Sequence, residues 1–255
     1  MLVFPAIDLL GAKAVRLRQG QRDTATVYSD APWEIAAAFA AAGAARVHVV
    51  DLDAAFSGGA VHNRETIRRI VAAAGHIEVE VGGGVRSVED CVHLFELGAR
   101  FAVTGTAAIK SPAIVASACA AYPGRIVVAV DAREGRVSVE GWQEDTGATA
   151  IDVAGAMARA GAGAVLYTDI GRDGMRSGPN LEATRRLAEA IAPCPVIASG
   201  GVARLEDLDQ TRATGAFAVI VGKAIYEKVF TVEEAVRRAA SPVPAPSTSA
   251  PRSSR

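Results

Sequence analysis

The sequence predicts an α/β fold: a closed (β/α)8 barrel, or TIM barrel, built on one parallel sheet. Three observations carry that reading. Short apolar runs alternate with alanine-rich stretches of helical period, eight of each between residues 1 and 240. The apolar runs break at their C-terminal ends into Gly or Asp, where a barrel of this type gathers the polar residues of its mouth. Those ends also recur at a near-constant offset: Gly83 to Gly200 and Gly105 to Gly222 are both 117 apart, Asp51 to Asp169 is 118 and Asp8 to Asp131 is 123. A repeat that spans four βα units divides residues 1–240, read as one domain, into half-barrels of 1–122 and 123–240.

The first predicted strand, "LVFPAID" (2–8), ends on Asp8, and a long loop with "VRLRQGQRD" (15–23) then presents Arg16 and Arg18. The helix "PWEIAAAFAAAG" (32–43) has proline at its start and glycine at its end, where helices favour them. Strand two, "RVHVVD" (46–51), ends on Asp51 and holds His48 in its interior, a position that suits a hydrogen-bonded core residue better than a base. Helix 63–75 follows, and strand three (77–81) then runs into Gly82, Gly83, Gly84 and Arg86. After helix 87–98, strand four (101–105) ends on Gly105 and Thr106, and helix 111–122 closes the first half. Strand five (126–131) ends on Asp131; the loop "EGWQED" (140–145) carries Trp142, which either stacks over a flat heterocycle as a lid or packs on the barrel rim. Strand six (164–169) supplies Thr168 and Asp169 and opens into "GRDGMRSGPN", whose glycines permit closure of Asp173 and Gly174 over a ligand. Strand seven (195–200) leads into Ser199, Gly200 and Gly201, and strand eight (217–222) into Gly222 and Lys223. Helices 149–161, 180–191, 204–215 and 231–240 complete the second half, and the Pro/Ser/Ala run 241–255 is expected to be a disordered tail.

Composition narrows the function. With 27 basic against 28 acidic residues the chain lacks the field that nucleic acid or an anionic membrane demands, so an anionic ligand must be held locally. The cysteines Cys91, Cys119 and Cys194 match neither a disulfide framework nor a metal spacing, and the start of the chain meets Asp8 before any cleavage-like site. A cytoplasmic, monomeric protein is expected, with no metal and no cofactor, since no ligand cluster and no dinucleotide fingerprint is present.

The strand ends then specify chemistry. Glycines let phosphate oxygens approach backbone N–H groups, and a helix start beyond them favours negative charge. Gly82, Gly83, Gly84, Arg86, Gly105 and Thr106 form one such cup; Ser199, Gly200, Gly201, Gly222 and Lys223 form a second on the opposite side of the mouth. The ligand expected is a small molecule phosphorylated at both ends. Between the cups stand Asp8 and Asp131, opposed across the ring and suited to general base and acid work, with Thr168 and Asp173 in support. Asp51 and Asp169 are adequately explained as caps of the loops that follow them.

The motifs "PAIDLLGAKAVRLRQG", "VHVVDLDAAFSG", "VGGGVRS", "TGTAAIKSP", "VAVDAREG", "GWQE", "TDIGRDGMRSGPN", "ASGGV" and "IVGKAIYEKVFT" occur in order over residues 1–239. Together they resemble the phosphoribosylformimino imidazole carboxamide ribotide isomerases of histidine biosynthesis. The resemblance implies a cofactor-free Amadori rearrangement of an aminoaldose to an aminoketose, with Asp8 as base. It leaves the acid open between Asp131, which otherwise stabilises a protonated Schiff base, and Asp173. The sister cyclases resemble P-C-L-D at strand one, where this chain has Ala6 before Ile7-Asp8. The dual isomerases that also act on phosphoribosyl anthranilate resemble S-G-G-I-R-D at strand three, where this chain has Gly82 and Val85, and they carry an arginine just before the lid tryptophan, where Glu140 precedes Gly141 and Trp142 here. A non-catalytic bisphosphate-binding barrel would keep both cups without needing Asp8 and Asp131 together.

Overall fold

The computed structural model describes residues 1–18, 21–57, 63–139, 144–175 and 177–241. Eight parallel strands close on themselves: β1 (Leu2–Leu10), β2 (Arg46–Asp51), β3 (Glu78–Gly82), β4 (Phe101–Thr104), β5 (Ile126–Arg133), β6 (Ala164–Asp169), β7 (Val196–Ser199) and β8 (Ala218–Val221). Each pairs with its successor in sequence, and β8 returns to β1 through Leu2↔Ala218 to Pro5↔Val221. The strands match the apolar runs to within two residues at either end, because fully buried parallel strands need continuous Val, Ile and Ala.

Side-chain alternation decides what faces where. Along β1, Phe4 and Ala6 point into the barrel, where they join Val127, Leu166, Ile197 and Ile220, whereas Ile7 and Leu9 join the larger core beneath the helices. The next inward position after Ala6 is Asp8, so the pleat delivers that carboxylate to the mouth.

At the level of Phe4 the barrel interior is closed by charge. The Arg46 guanidinium lies over the rings of Phe4 and Phe101 at 4.7 and 3.5 Å and donates to Glu78 and Glu80 at 2.9 Å each. Glu80 is fully buried and its other oxygen meets His48 Nδ1 at 2.7 Å. Burial pushes the Glu80 carboxyl upward, but His48 and Arg46 outweigh it and hold it below the usual carboxylate range. His48 is therefore the hydrogen-bonded interior residue that its place within a strand suggested.

Two additions depart from the sequence reading. The segment with Arg16 and Arg18 is not a loop but a hairpin, Lys13–Arg18 against Gln21–Ser29, and its first strand pairs antiparallel with β1 through Asp8↔Val15. A tight reversal at Gly11 and Ala12, both with positive φ, folds it back. After β5 a second hairpin, Arg136–Val139 with Glu144–Thr149, takes part of the segment expected to be a loop; Trp142 lies outside the described residues, as does 242–255.

Candidate active site

A cavity of about 300 Å³ opens at the C-terminal ends of the strands. Asp8, Arg16, Asp131, Thr168 and Asp173 line it, together with Gly82–Arg86, Gly105, Thr106, Gly174, Ser199–Gly201, Gly222 and Lys223. Apart from Trp142, every residue proposed from sequence for catalysis or binding thus lies on one surface.

Asp8 does not stand alone. The hairpin brings Arg16 back across the mouth, where Nη1 donates to Asp8 Oδ2 at 2.7 Å and Nη2 to the Ala6 carbonyl at 2.6 Å. The same carbonyl accepts the Tyr226 hydroxyl at 3.0 Å, and the Arg16 guanidinium sits 4.9 Å from the Tyr226 ring centroid. Gly222 makes room for it, since a Cβ there would stand 2.6 Å from the guanidinium carbon. Tyr226 was not read from the sequence; its position four residues after a cup glycine was the only signal. Burial pushes its phenol up to about 12, so it stays protonated and keeps its donor role.

On the second half of the ring, Asp131 and Thr168 are register partners on β5 and β6, and Thr168 is also partner to Ser199 on β7. Asp173 enters from the loop after β6, where its N–H bonds the Asp169 carbonyl at 3.0 Å. Burial, and next the charge of Asp8, push its carboxyl up to about 6; Arg16 opposes the shift and Asp131 adds to it. A carboxyl so placed holds its proton far closer to neutrality than an ordinary aspartate.

The two glycine sets also take shape. Gly83 and Gly84 have φ of 103° and 71°, Gly200 and Gly201 of 90° and 88°, the region that only glycine enters at no steric cost. Gly105 and Gly222 each precede a short helical turn, Thr106–Lys110 and Lys223–Tyr226. The backbone N–H of Arg86 is taken by Asp90 Oδ2 at 2.9 Å, and that of Ala203 by Asp207 Oδ2 at 2.7 Å, so each cup amide is held by an aspartate in the first turn of the next helix. Lys223 Nζ donates to the Gly174 carbonyl at 2.8 Å, which ties the Asp173 loop to the end of β8. Asp51 and Asp169 cap their own loops, accepting from the N–H of Ala54 and of Gly171 at 3.0 Å each.

Among the described residues no His, Cys, Asp or Glu group of three could hold a metal ion, and no helix is long and apolar enough to cross a membrane.

Residues 2–231 match the family model described as histidine biosynthesis protein. A protein of Anaeromyxobacter sp. (strain Fw109-5) is 48% identical over 241 residues, covering 94% of this chain and 100% of its own. One from Syntrophus aciditrophicus (strain SB) is 44% identical over 244 residues with the same coverage, and one from Picosynechococcus sp. (strain ATCC 27264 / PCC 7002 / PR-6) is 49% identical over 240 residues, covering 93% of each chain. All three carry the name 1-(5-phosphoribosyl)-5-((5-phosphoribosylamino)methylideneamino) imidazole-4-carboxamide isomerase.

Proposed function

For a chain that belongs to the histidine biosynthesis protein family, we propose that the barrel is the isomerase named in its relatives, converting the aminoaldose to the aminoketose by an Amadori rearrangement. The observation that carries the assignment of roles is Asp173, a half-buried carboxyl raised to about 6 that faces Asp8 and Asp131 in one mouth between two glycine cups.

The substrate carries a phosphate on each ribose, and the cups at Gly83, Gly84, Gly105 and Thr106 and at Gly200, Gly201, Gly222 and Lys223 hold one each through backbone N–H groups. Between them Asp173 gives its proton to the ring oxygen of the aminoaldose. The C1–O bond breaks, the nitrogen lone pair forms the C=N bond, and an open-chain protonated Schiff base results. Asp8 then removes the proton from C2; the C–H electrons become the C1=C2 bond and the iminium electrons return to nitrogen. Proton loss from the C2 hydroxyl and protonation at C1 finish the aminoketose. Asp131 faces the cationic intermediate, and its negative charge favours it. Arg16 orients Asp8 and offsets charge that three carboxyls would otherwise crowd together. All these groups come from one chain, which supports a single chain as the working unit, and three free cysteines suit a reducing cytoplasm.

The test is turnover of the aminoaldose ribotide by the purified protein, followed by ultraviolet absorbance with the downstream cyclase in excess. Conversion without added metal or cofactor is expected; no conversion would overturn the assignment.

A further inference from the structure

The cup glycines rest on the backbone of the loop before them. A Cβ on Gly83 would stand 2.1 Å from the Asp51 carbonyl oxygen and one on Gly84 2.7 Å from that of Ala54. In the second half a Cβ on Gly200 would stand 2.9 Å from the Asp169 carbonyl oxygen and one on Gly201 2.3 Å from that of Gly178. The position of each cup is therefore set by the loop after β2 or after β6.

Each of those loops is closed by the same pair. Asn63 Nδ2 donates to Asp51 Oδ1 at 2.6 Å, and Asn180 Nδ2 donates to Asp169 Oδ2 at 2.6 Å. The asparagines are 117 apart, the offset of the cup glycines themselves. Asn63 is fully buried and binds further, accepting the Ala12 N–H at 2.9 Å and reaching Asp53 Oδ2 at 3.0 Å. Asn180 accepts the Ala183 N–H at 3.1 Å as the cap of its helix. Neither asparagine lines the cavity.

We propose that Asp51–Asn63 and Asp169–Asn180 are two independent positioning clamps, each setting the geometry of one phosphate cup and hence the affinity for one end of a doubly phosphorylated substrate. The proposal rests on the two-cup reading above. A carboxylate and an amide bonded across a loop fix its two ends together, and the carbonyls beneath the glycines then cannot shift. In metal sites, losing a group that orients a ligand costs about tenfold or more in metal affinity, and an effect of that order is expected for a cup whose support is lost.

The experiment is a titration of the full chain with inorganic phosphate, read at backbone amides by heteronuclear NMR. Gly83, Gly84 and Thr106 report the first cup; Gly200, Gly201 and Lys223 report the second. Asn63→Ser removes the Nδ2 donor. Asn180→Ser does the same while keeping a hydroxyl to cap Ala183. Asn63→Ser should raise the phosphate Kd of the first cup about tenfold and leave the second within about twofold; Asn180→Ser should do the reverse. Should Asn63→Ser fail to fold, Asn63→Asp is isosteric, and its hydrogen bond to Asp51 returns once one of the two carboxyls is protonated. Its first cup should then recover relative to its second as pH falls to about 5. Equal weakening of both cups by either variant, or no weakening of either, would overturn the clamps while leaving the two-cup reading intact. No saturable response at either cup of the parent chain would overturn both.

Discussion

In the first four βα units the β1 carboxylate Asp8 meets Arg16, delivered by the following hairpin; in the last four, the residue 123 beyond Arg16, at the spacing of Asp8 and Asp131, is Val139. The loop after β6 sends Asp173 into the mouth, whereas the residue 118 earlier, at the spacing of Asp51 and Asp169, is Ala55. Against these differences the cups, their supporting aspartates and asparagines and the capping aspartates Asp90 and Asp207 recur at 117 or 118. On the proposed reading, the residues for the ends of the ligand are duplicated, whereas around its middle only the Asp8–Asp131 pair recurs and Arg16 and Asp173 have no counterpart. That division suits a molecule with two similar ends and one reactive bond.

The sharpest test of it is to remove the proton-exchanging groups. Asp8→Asn and Asp173→Asn should each lower kcat by on the order of 10² to 10⁴ with KM nearly intact, if the two cups carry binding as proposed. Combining them should be little worse than the poorer single change, since both serve one sequence of proton transfers. Asp131→Asn should cost about 10²-fold or more through loss of a stabilising charge. If Asp8→Asn kept near-normal kcat in steady-state assays, the base would have to be sought elsewhere.

A smaller effect separates the halves at equivalent glycines. Gly105→Ala adds a Cβ 3.6 Å from that of Ala129, an ordinary contact at a φ of −118°, so it should raise KM while kcat stays within about twofold. Gly222→Ala has a similar φ of −114°, but its Cβ would stand 2.6 Å from Arg16. The guanidinium is the end of a flexible side chain and yields before the backbone does, breaking its bond to Asp8. A fall in kcat of about tenfold or more is expected, the worth of one charge-assisted hydrogen bond. Should both glycines alter KM alone, Arg16 would have no part in the chemistry and the two halves would be functionally equivalent at these positions.

How much of this was legible from sequence depends on whether a residue acts alone or through a partner. Continuous runs such as "IVVAVD" mark buried parallel strands, and strand ends mark the mouth, so Asp8, Asp131 and the cup glycines could be placed before any coordinates. The sequence marks Arg16 as polar and near the mouth, but its contact with Asp8 depends on a hairpin whose alternation, "KAVRLR" against "QRDTATVYS", is interrupted by charges and lacks a two-residue turn signal. Asn63 and Asn180 read as helix starts because Asn is common there. Their bonds to Asp51 and Asp169 close loops of a dozen residues and carry no local pattern. Glu80 and Arg46 sit within strand runs, where only the closed barrel shows that their side chains meet inside.

The last difference between the halves is one of stability. In the second half burial pushes Asp173 from the ordinary 3.8 to about 6, while in the first half burial also raises Asp51, against hydrogen bonds from Ala54 and Asn63 that oppose it. Below about pH 4 Asp173 is protonated whether the chain is folded or not, and it contributes no pH dependence. Between about 4 and 6 the folded chain retains a proton that the unfolded chain has released, so this group makes stability fall as pH rises. Above about 6 the full cost of a buried charge is present. Two pKa units, reduced for the partial solvent access of the side chain, amount to about 2 kcal/mol. Asp173→Asn has nothing to ionise and should be more stable than the parent at pH 8, by roughly 4 to 8 °C in Tm for a domain of this size. At pH 4 the two should melt together. Calorimetry at both pH values decides it: an equal gain at pH 4 would mean that the amide simply packs better, and no gain at pH 8 would mean that Asp173 is solvated and an ordinary carboxylate. The parent's kcat/KM should also fall as pH rises past about 6, where the free enzyme loses its acid. The variant that gains stability would thus be one that has lost turnover, as expected where a site keeps a proton by burying the group that holds it.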